Sequence, residues 1–449
     1  MTPVEVLLAA VAAPVVITIV VVCLREPMRV ALPIFAALIP FGGALSLGGS
    51  RYASLSSLIG VLLGLGLILQ LITTRRSAPR ITAGVPVWLL LLGVAVATAL
   101  WSDDQARTIN GVIVLASLVL VYVFTVISHA DRTIVRRTEN ALLIGSAIAV
   151  GYGIFQLLFL GGLPTDDPIS ALPEGGRFGN GFLGPNIQSV ALVLPLTIAL
   201  GRMLSAQRRS ARNLSAVLAA LMLVGILLTA SRTGSLVAAI AMLTMAFSGP
   251  RSARRRVLTY LGVAAIAGAL VWVYQPWGVA ARTFETASSS SGRTDIWRVA
   301  AAACTEYCAT GSGWSTFAEV YAETQASVEG ARVLVGAGAY EAHNIWLLVG
   351  IELGFLGLLL LCLGLAISLL EAVRLPRNLR GPVLGALVAT IVAGMFLSSL
   401  EFKYFWMALI MVSLYRNQHL AESEPVRVPP QPPSGVAEGR HGRSATSTS

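Results

Sequence analysis

The chain is 449 residues long, 55% of them apolar and only 12% charged, against the roughly one quarter charged of a soluble globular domain. That balance excludes an ordinary soluble enzyme, and the formal charge of +10 does not point to nucleic acid, because the arginines are scattered between apolar runs and not gathered in one patch. The runs are roughly 18 to 22 residues each, long enough for a hydrocarbon core of about 30 Å, so the sequence predicts an all-α, polytopic transmembrane helix bundle.

In chain order the predicted spans are 4–24, 30–47, 55–73, 85–101, 109–128, 141–160, 187–204, 214–229, 235–247, 257–274, 345–370, 382–400 and 402–415, which makes about 12–13 crossings. The first lacks the basic start and small-residue cleavage site of a removed signal peptide. Residues 1–160 are read as N-terminal transmembrane helices. Residues 161–415 form a core that includes an outer loop at 278–342. Residues 416–449, rich in proline, glycine, serine and charge, cannot bury enough apolar surface to fold and are expected to be a disordered cytoplasmic tail.

Alternate connections carry the arginine clusters: Arg25 and Arg29; Arg75, Arg76 and Arg80; Arg132, Arg136 and Arg137; Arg202, Arg208, Arg209 and Arg212; Arg251, Arg254, Arg255 and Arg256; Arg374, Arg377 and Arg380. By the positive-inside rule these face the cytoplasm. The intervening connections, including 161–186, the turn at 231–234 and the long loop 291–344, then face outward. Two short helices are predicted in that loop, at 295–308 and 316–328. Cys304 and Cys308 would share a face of the first; they are read as free thiols, with a strained pair as the alternative. Cys23 and Cys362 fall in apolar runs and are read as packing residues.

Three spans begin on the outer side with a polar signature: FLGPNIQS at Asn186, a candidate N-cap; TASRTGSL at Ser231 and Arg232; EAHNIWLL at His343 and Asn344. Helix N-termini present unpaired N–H groups and partial positive charge, which suits anions. Arg232, together with Arg293 in the outer loop, could fork onto diphosphate oxygens; solvated interfacial anchors are the plainer alternative. A positive helix end and nearby arginines disfavour imidazolium, so a neutral His343 could act as a general base, or it could simply cap its span. Glu352 lies inside a span, where an acid faces the bundle interior and pairs with something. A structural tether is the preferred reading and a proton relay the other. Adjacent Asp103 and Asp104 read as a solvated turn.

The order GPN at 184–186, SRTG at 231–234, SGR with Trp297 four residues after Arg293, GSGWSTF at 311–317, and HN at 343–344 followed by ELGFLG at 352–357 resembles the O-antigen ligase and polymerase superfamily. The resemblance implies a membrane glycosyltransferase that moves a glycan from an undecaprenyl diphosphate carrier to a hydroxyl of a glycan or glycolipid acceptor outside the cytoplasmic membrane. It further implies inversion at the anomeric carbon with no metal, cofactor or nucleotide sugar. Arg232 and Arg293 would hold the donor diphosphate and His343 would activate the acceptor. Around them Asn186, Arg177, Trp297, Trp314 and Asn344 are expected to bind substrate and Glu352 to be structural. One departure from the family pattern is Thr233, which intervenes between Arg232 and Gly234. The rival class is a transporter using Glu352 as an intramembrane ion or proton site, which would need broken helices near mid-membrane and pseudo-symmetric halves.

Overall fold

In the computed structural model the described residues are 3–42, 54–73, 82–159, 183–229, 231–274, 293–330 and 341–423, and among them there is no strand. The helices are α1 (Pro3–Arg25), α2 (Leu32–Leu38), α3 (Leu55–Thr73), α4 (Gly84–Thr98), α5 (Gln105–Ile127), α6 (Arg132–Phe159), α7 (Pro185–Ala191), α8 (Val193–Ser205), α9 (Arg209–Leu228), α10 (Arg232–Ser248), α11 (Arg251–Tyr274), α12 (Arg293–Tyr307), α13 (Phe317–Thr324), α14 (Ile345–Arg374), α15 (Arg377–Ala393) and α16 (Lys403–Ser423). Six helical stretches among the described residues are long and apolar enough to cross a membrane: α3, α5, α6, α7 with α8, α9 and α14. Shorter apolar helices at Ala13–Arg25, Pro27–Phe41, Gly84–Thr98 and Arg232–Ser248 accompany them. The chain is therefore a multi-pass, all-α membrane protein, and among the described residues length and apolarity alone give fewer crossings than the 12–13 predicted for the whole chain.

The centre of the bundle is aromatic. Trp88 on α4 meets Tyr122 on α5 and Phe405 and Trp406 on α16 edge-on, with ring centroids 6.3, 6.2 and 5.1 Å away, an arrangement that adds to the plain burial of the rings. α14 can lie against the Trp88 indole because residue 364 is glycine; a Cβ there would fall 2.8 Å from the ring. Such close approach is how membrane helices gain packing contacts when no hydrophobic driving force separates helix from lipid.

Short turns join α5 to α6, α8 to α9, α10 to α11 and α14 to α15, and brief connections make neighbours antiparallel. These turns share one end of the bundle. There Arg202 on α8 donates to the carboxylate of Glu139 on α6 through Nε (2.8 Å) and to Asn140 Oδ1 (2.5 Å), while Tyr415 on α16 donates to the other Glu139 oxygen. Three helices are thus tied by one shared carboxylate. α16 runs on to Ser423, past residue 415 where a tail was expected to begin, and Asn417 Nδ2 donates to the Val126 carbonyl at 3.2 Å. Residues 424–449 lie outside the described residues.

At the opposite end, 293–330 packs as a small helical layer on α14. Ile296, Val299, Ala300 and Ala303 of α12 and Phe317, Val320 and Tyr321 of α13 form a core with Ala342, Leu348 and Ile351. The two helices arise close to the predicted 295–308 and 316–328. The structure pairs Cys304 with Cys308 in a disulfide, their Cα atoms 4.6 Å apart, so the free-thiol reading is corrected: one helical turn brings the two Cβ atoms onto the same face within bridging reach.

Candidate active site

The site is assembled from helix starts. Ser231 caps α10, its Oγ accepting from Gly234 N at 3.1 Å and donating to Asn186 Oδ1 at 2.9 Å. Gly234 lets α7 come this close, because a Cβ at 234 would sit 2.2 Å from Ser189 Oγ. The glycine that follows Thr233 therefore serves helix approach. Asn186 is not the predicted N-cap. Gly184 holds that place, with Pro185 in the first turn, where a residue without an N–H costs nothing. The Asn186 side chain is thereby left for Ser231.

Arg232 follows as the first residue of α10 and is exposed. Arg293 opens α12 and is half-buried. Burial pulls the Arg293 guanidinium below the ordinary arginine range, and the Arg232 charge pulls in the same direction. Two guanidiniums 61 positions apart along the chain are therefore within electrostatic reach of each other, a like-charge pair of the kind an anion would relieve.

One turn along α12, Trp297 Nε1 donates to the Ala342 carbonyl at 3.1 Å. This bond fastens the helix that begins at Arg293 to the residue immediately before His343. His343 itself has φ +47, a left-handed conformation uncommon for a non-glycine residue and a place where strain and function often coincide. Its side chain is 35% exposed, and Glu341 Oε2 lies 3.9 Å from Nδ1. Asn344 is the N-cap of α14: its Oδ1 accepts from Trp346 N (2.9 Å) and Leu347 N (3.2 Å), and the residue is buried. In this residue, expected to bind substrate, the side-chain oxygen is committed to the helix start. Ile345 N donates to the Gly394 carbonyl at 2.7 Å, which brings the end of α15 to the same corner.

Trp314, expected to bind substrate, is fully buried in the main core. Gly313, at φ +119, turns the chain inward, and Gly111 on α5 leaves room, since a Cβ there would meet the Trp314 ring at 2.9 Å. Arg177 falls outside the described residues.

Glu352 is 2% exposed. Its Oε2 accepts from Ser315 N and its Oε1 from Phe317 N, both at 2.9 Å. Below it α14 is interrupted at Gly354 (φ +71, ψ −172), and the polar groups freed there are taken by the loop: Ser312 N donates to Ile351 O (2.9 Å), Gly313 N to Glu352 O (3.1 Å), and Phe355 N to Cys308 O (2.8 Å). A broken helix, the feature named for a transporter, is thus present. It is filled by the protein's own backbone, as irregular backbone at membrane depth must be. The segment GSGWSTF reads as a plug seated in ELGFLG.

Residues 217–362, from α9 into α14, match the family model of the O-antigen ligases. Over that stretch the chain is similar to the O-antigen ligases. The match spans Arg232, Arg293 and His343 as well as the plug and its seat, and it supports an O-antigen ligase-like membrane glycosyltransferase in general. No curated protein matches the chain. Sequence reasoning missed Ser231 as the partner of Asn186 and Glu341 as the neighbour of His343; only the motif context, SRTG and EAHN, pointed near them.

Proposed function

We propose that this protein transfers a glycan from an undecaprenyl diphosphate carrier to a sugar hydroxyl of a glycan or glycolipid acceptor, on the outer face of the bacterial cytoplasmic membrane. The observation that carries the reading is a run of hydrogen bonds joined by one electrostatic link. Asn186 bonds to Ser231 beside Arg232, Arg232 acts electrostatically on Arg293, and Trp297, a turn beyond Arg293, bonds to the residue before His343.

The donor's diphosphate is a dianionic leaving group. Arg232 and Arg293 offer planar donor forks for its oxygens and act where charge grows in the transition state. His343 takes the acceptor proton as the hydroxyl oxygen attacks the anomeric carbon from the face opposite the diphosphate, so the configuration inverts. The acceptor O–H bond and the anomeric C–O bond break, the new glycosidic bond forms, and the diphosphate leaves with the electron pair. The polyprenyl tail remains in the lipid between helices. No residue here is assigned to hold a metal.

Sidedness is supported by the arginine-rich turns at the far end of the bundle and the positive-inside rule. The Cys304–Cys308 disulfide also suits an oxidising compartment. The test is transfer by purified protein in proteoliposomes with carrier-linked glycan and separate acceptors. His343→Ala, Arg232→Ala and Arg293→Ala should each lower the rate by at least about a hundredfold while the protein remains folded in the membrane. Near-normal transfer by the His343 or Arg232 variant rejects the assignment. A ladder of products identifies a polymerase and a single addition a ligase.

A further inference from the structure

Glu341 and His343 are separated by one residue, and each of the three residues Ala342, His343 and Asn344 is constrained in a different way. Ala342 is fully buried and its carbonyl accepts from Trp297 on α12. His343 holds a left-handed backbone, and Asn344 is locked into the start of α14 by two N–H groups. Glu341 therefore hangs from a constrained turn. Its carboxylate and the imidazole are each about one third exposed, at 34% and 35%, and the Oε2 to Nδ1 separation is 3.9 Å. Tyr404, at the head of α16, lies within electrostatic range of the same carboxylate.

A base in the proposed site faces a conflict. Accepting a hydroxyl proton turns neutral imidazole into a cation at the end of the bundle where Arg232 and Arg293 already crowd positive charge. A carboxylate at the second ring nitrogen answers it in two ways, by fixing which nitrogen carries hydrogen and by facing the charge that forms.

We propose that Glu341 is the positioning residue of His343, holding the ring by Nδ1 so that Nε2 is turned to the acceptor hydroxyl. The proposal rests on the reading of His343 as the general base. In the transfer step the acceptor proton passes to Nε2, the Nδ1–H stays directed at Glu341, and the carboxylate is not itself protonated. The proton is returned to solvent after the diphosphate leaves. A separation of 3.9 Å is an ion-pair distance; hydrogen bonds around a base commonly tighten once substrate is seated.

The experiment is steady-state transfer by full-length protein in proteoliposomes, with kcat and KM determined for donor and acceptor in Glu341→Gln, Glu341→Asp, Glu341→Ala and His343→Ala, and Tm measured in the same detergent. Glu341→Gln keeps the volume and removes the charge. It should lower kcat by about ten- to a hundredfold, a part of what a positioned base supplies, with both KM values within about twofold and Tm unchanged. Glu341→Asp should recover several-fold over Glu341→Ala. Full kcat in Glu341→Gln beside an inactive His343→Ala overturns the role of Glu341 alone. A raised KM and lowered Tm at unchanged kcat makes Glu341 a strut of the turn and likewise overturns it. Near-normal transfer by His343→Ala removes the base, and this role falls with it.

Discussion

Glu352 illustrates how far a residue's neighbours, more than its type, decide its job. As an acid inside a span it fits a proton pathway, but both of its oxygens accept backbone N–H groups of the plug at 2.9 Å, the arrangement of a tether. Glu352→Gln would set an amide NH2 against one of those N–H donors and leave it unsatisfied, at a cost of about 1–3 kcal/mol. The expected outcome is a lower Tm and reduced folded yield, with no proton or ion flux in vesicles containing the wild-type protein. Flux that depends on Glu352 would revive the transporter reading. The same scale shows where residue type misleads. Asn186 has the composition of a cap, yet Pro185 occupies the first turn and the cap moves to Gly184. Trp314 has the composition of a sugar platform, yet it is wholly enclosed. Asn344 was legible as part of a helix start, because a carboxamide oxygen placed just before an apolar run can satisfy two otherwise orphaned N–H groups.

At the scale of elements, the layer formed by α12 and α13 is the part that departs most from a plain bundle. Both helices were expected from the sequence, the second from its apolar spacing, and their apolar faces pack on each other. What spacing could not show is that the stretch between them enters the break in α14 at Gly354, a position whose positive φ suits glycine and where a Cβ would approach the Ala309 carbonyl to 2.9 Å. Outside the break the layer is pinned again: Trp101 Nε1 donates to Gly311 O at 2.9 Å, and Arg107 at the start of α5 pairs with Glu319 on α13. With so many anchors, the Cys304–Cys308 disulfide closes only a very short loop, and chain-entropy arguments give it about 2 kcal/mol at most. The Cys304→Ser, Cys308→Ser double variant should fold, transfer glycan and lose only a few degrees of Tm. In the wild-type protein, denatured without reductant, thiol counting should find two reactive cysteines, Cys23 and Cys362, and two more after reduction.

For the whole molecule the matter to test is sidedness. Ser327, exposed in the layer above α14, changed to cysteine should react with a membrane-impermeant maleimide in intact spheroplasts. Arg209→Cys, exposed at the opposite end at the start of α9, should react only after permeabilisation. The reverse pattern would turn the proposed site toward the cytoplasm. The sequence by itself determined the all-α membrane class, the alternation of arginine-rich and arginine-poor connections, and the order of polar motifs, because apolar run length and charge bias are local properties that need no partner. Only the tertiary structure decided that Asn186 answers Ser231 across 45 positions and that Trp297 holds the residue before His343 across another 45. It alone joined Cys304 to Cys308, filled the broken helix, and withdrew Trp314 into the core. Apart from the disulfide, which one turn of α12 brings together, each of these depends on where two segments remote in the chain meet, and such meetings are set by packing.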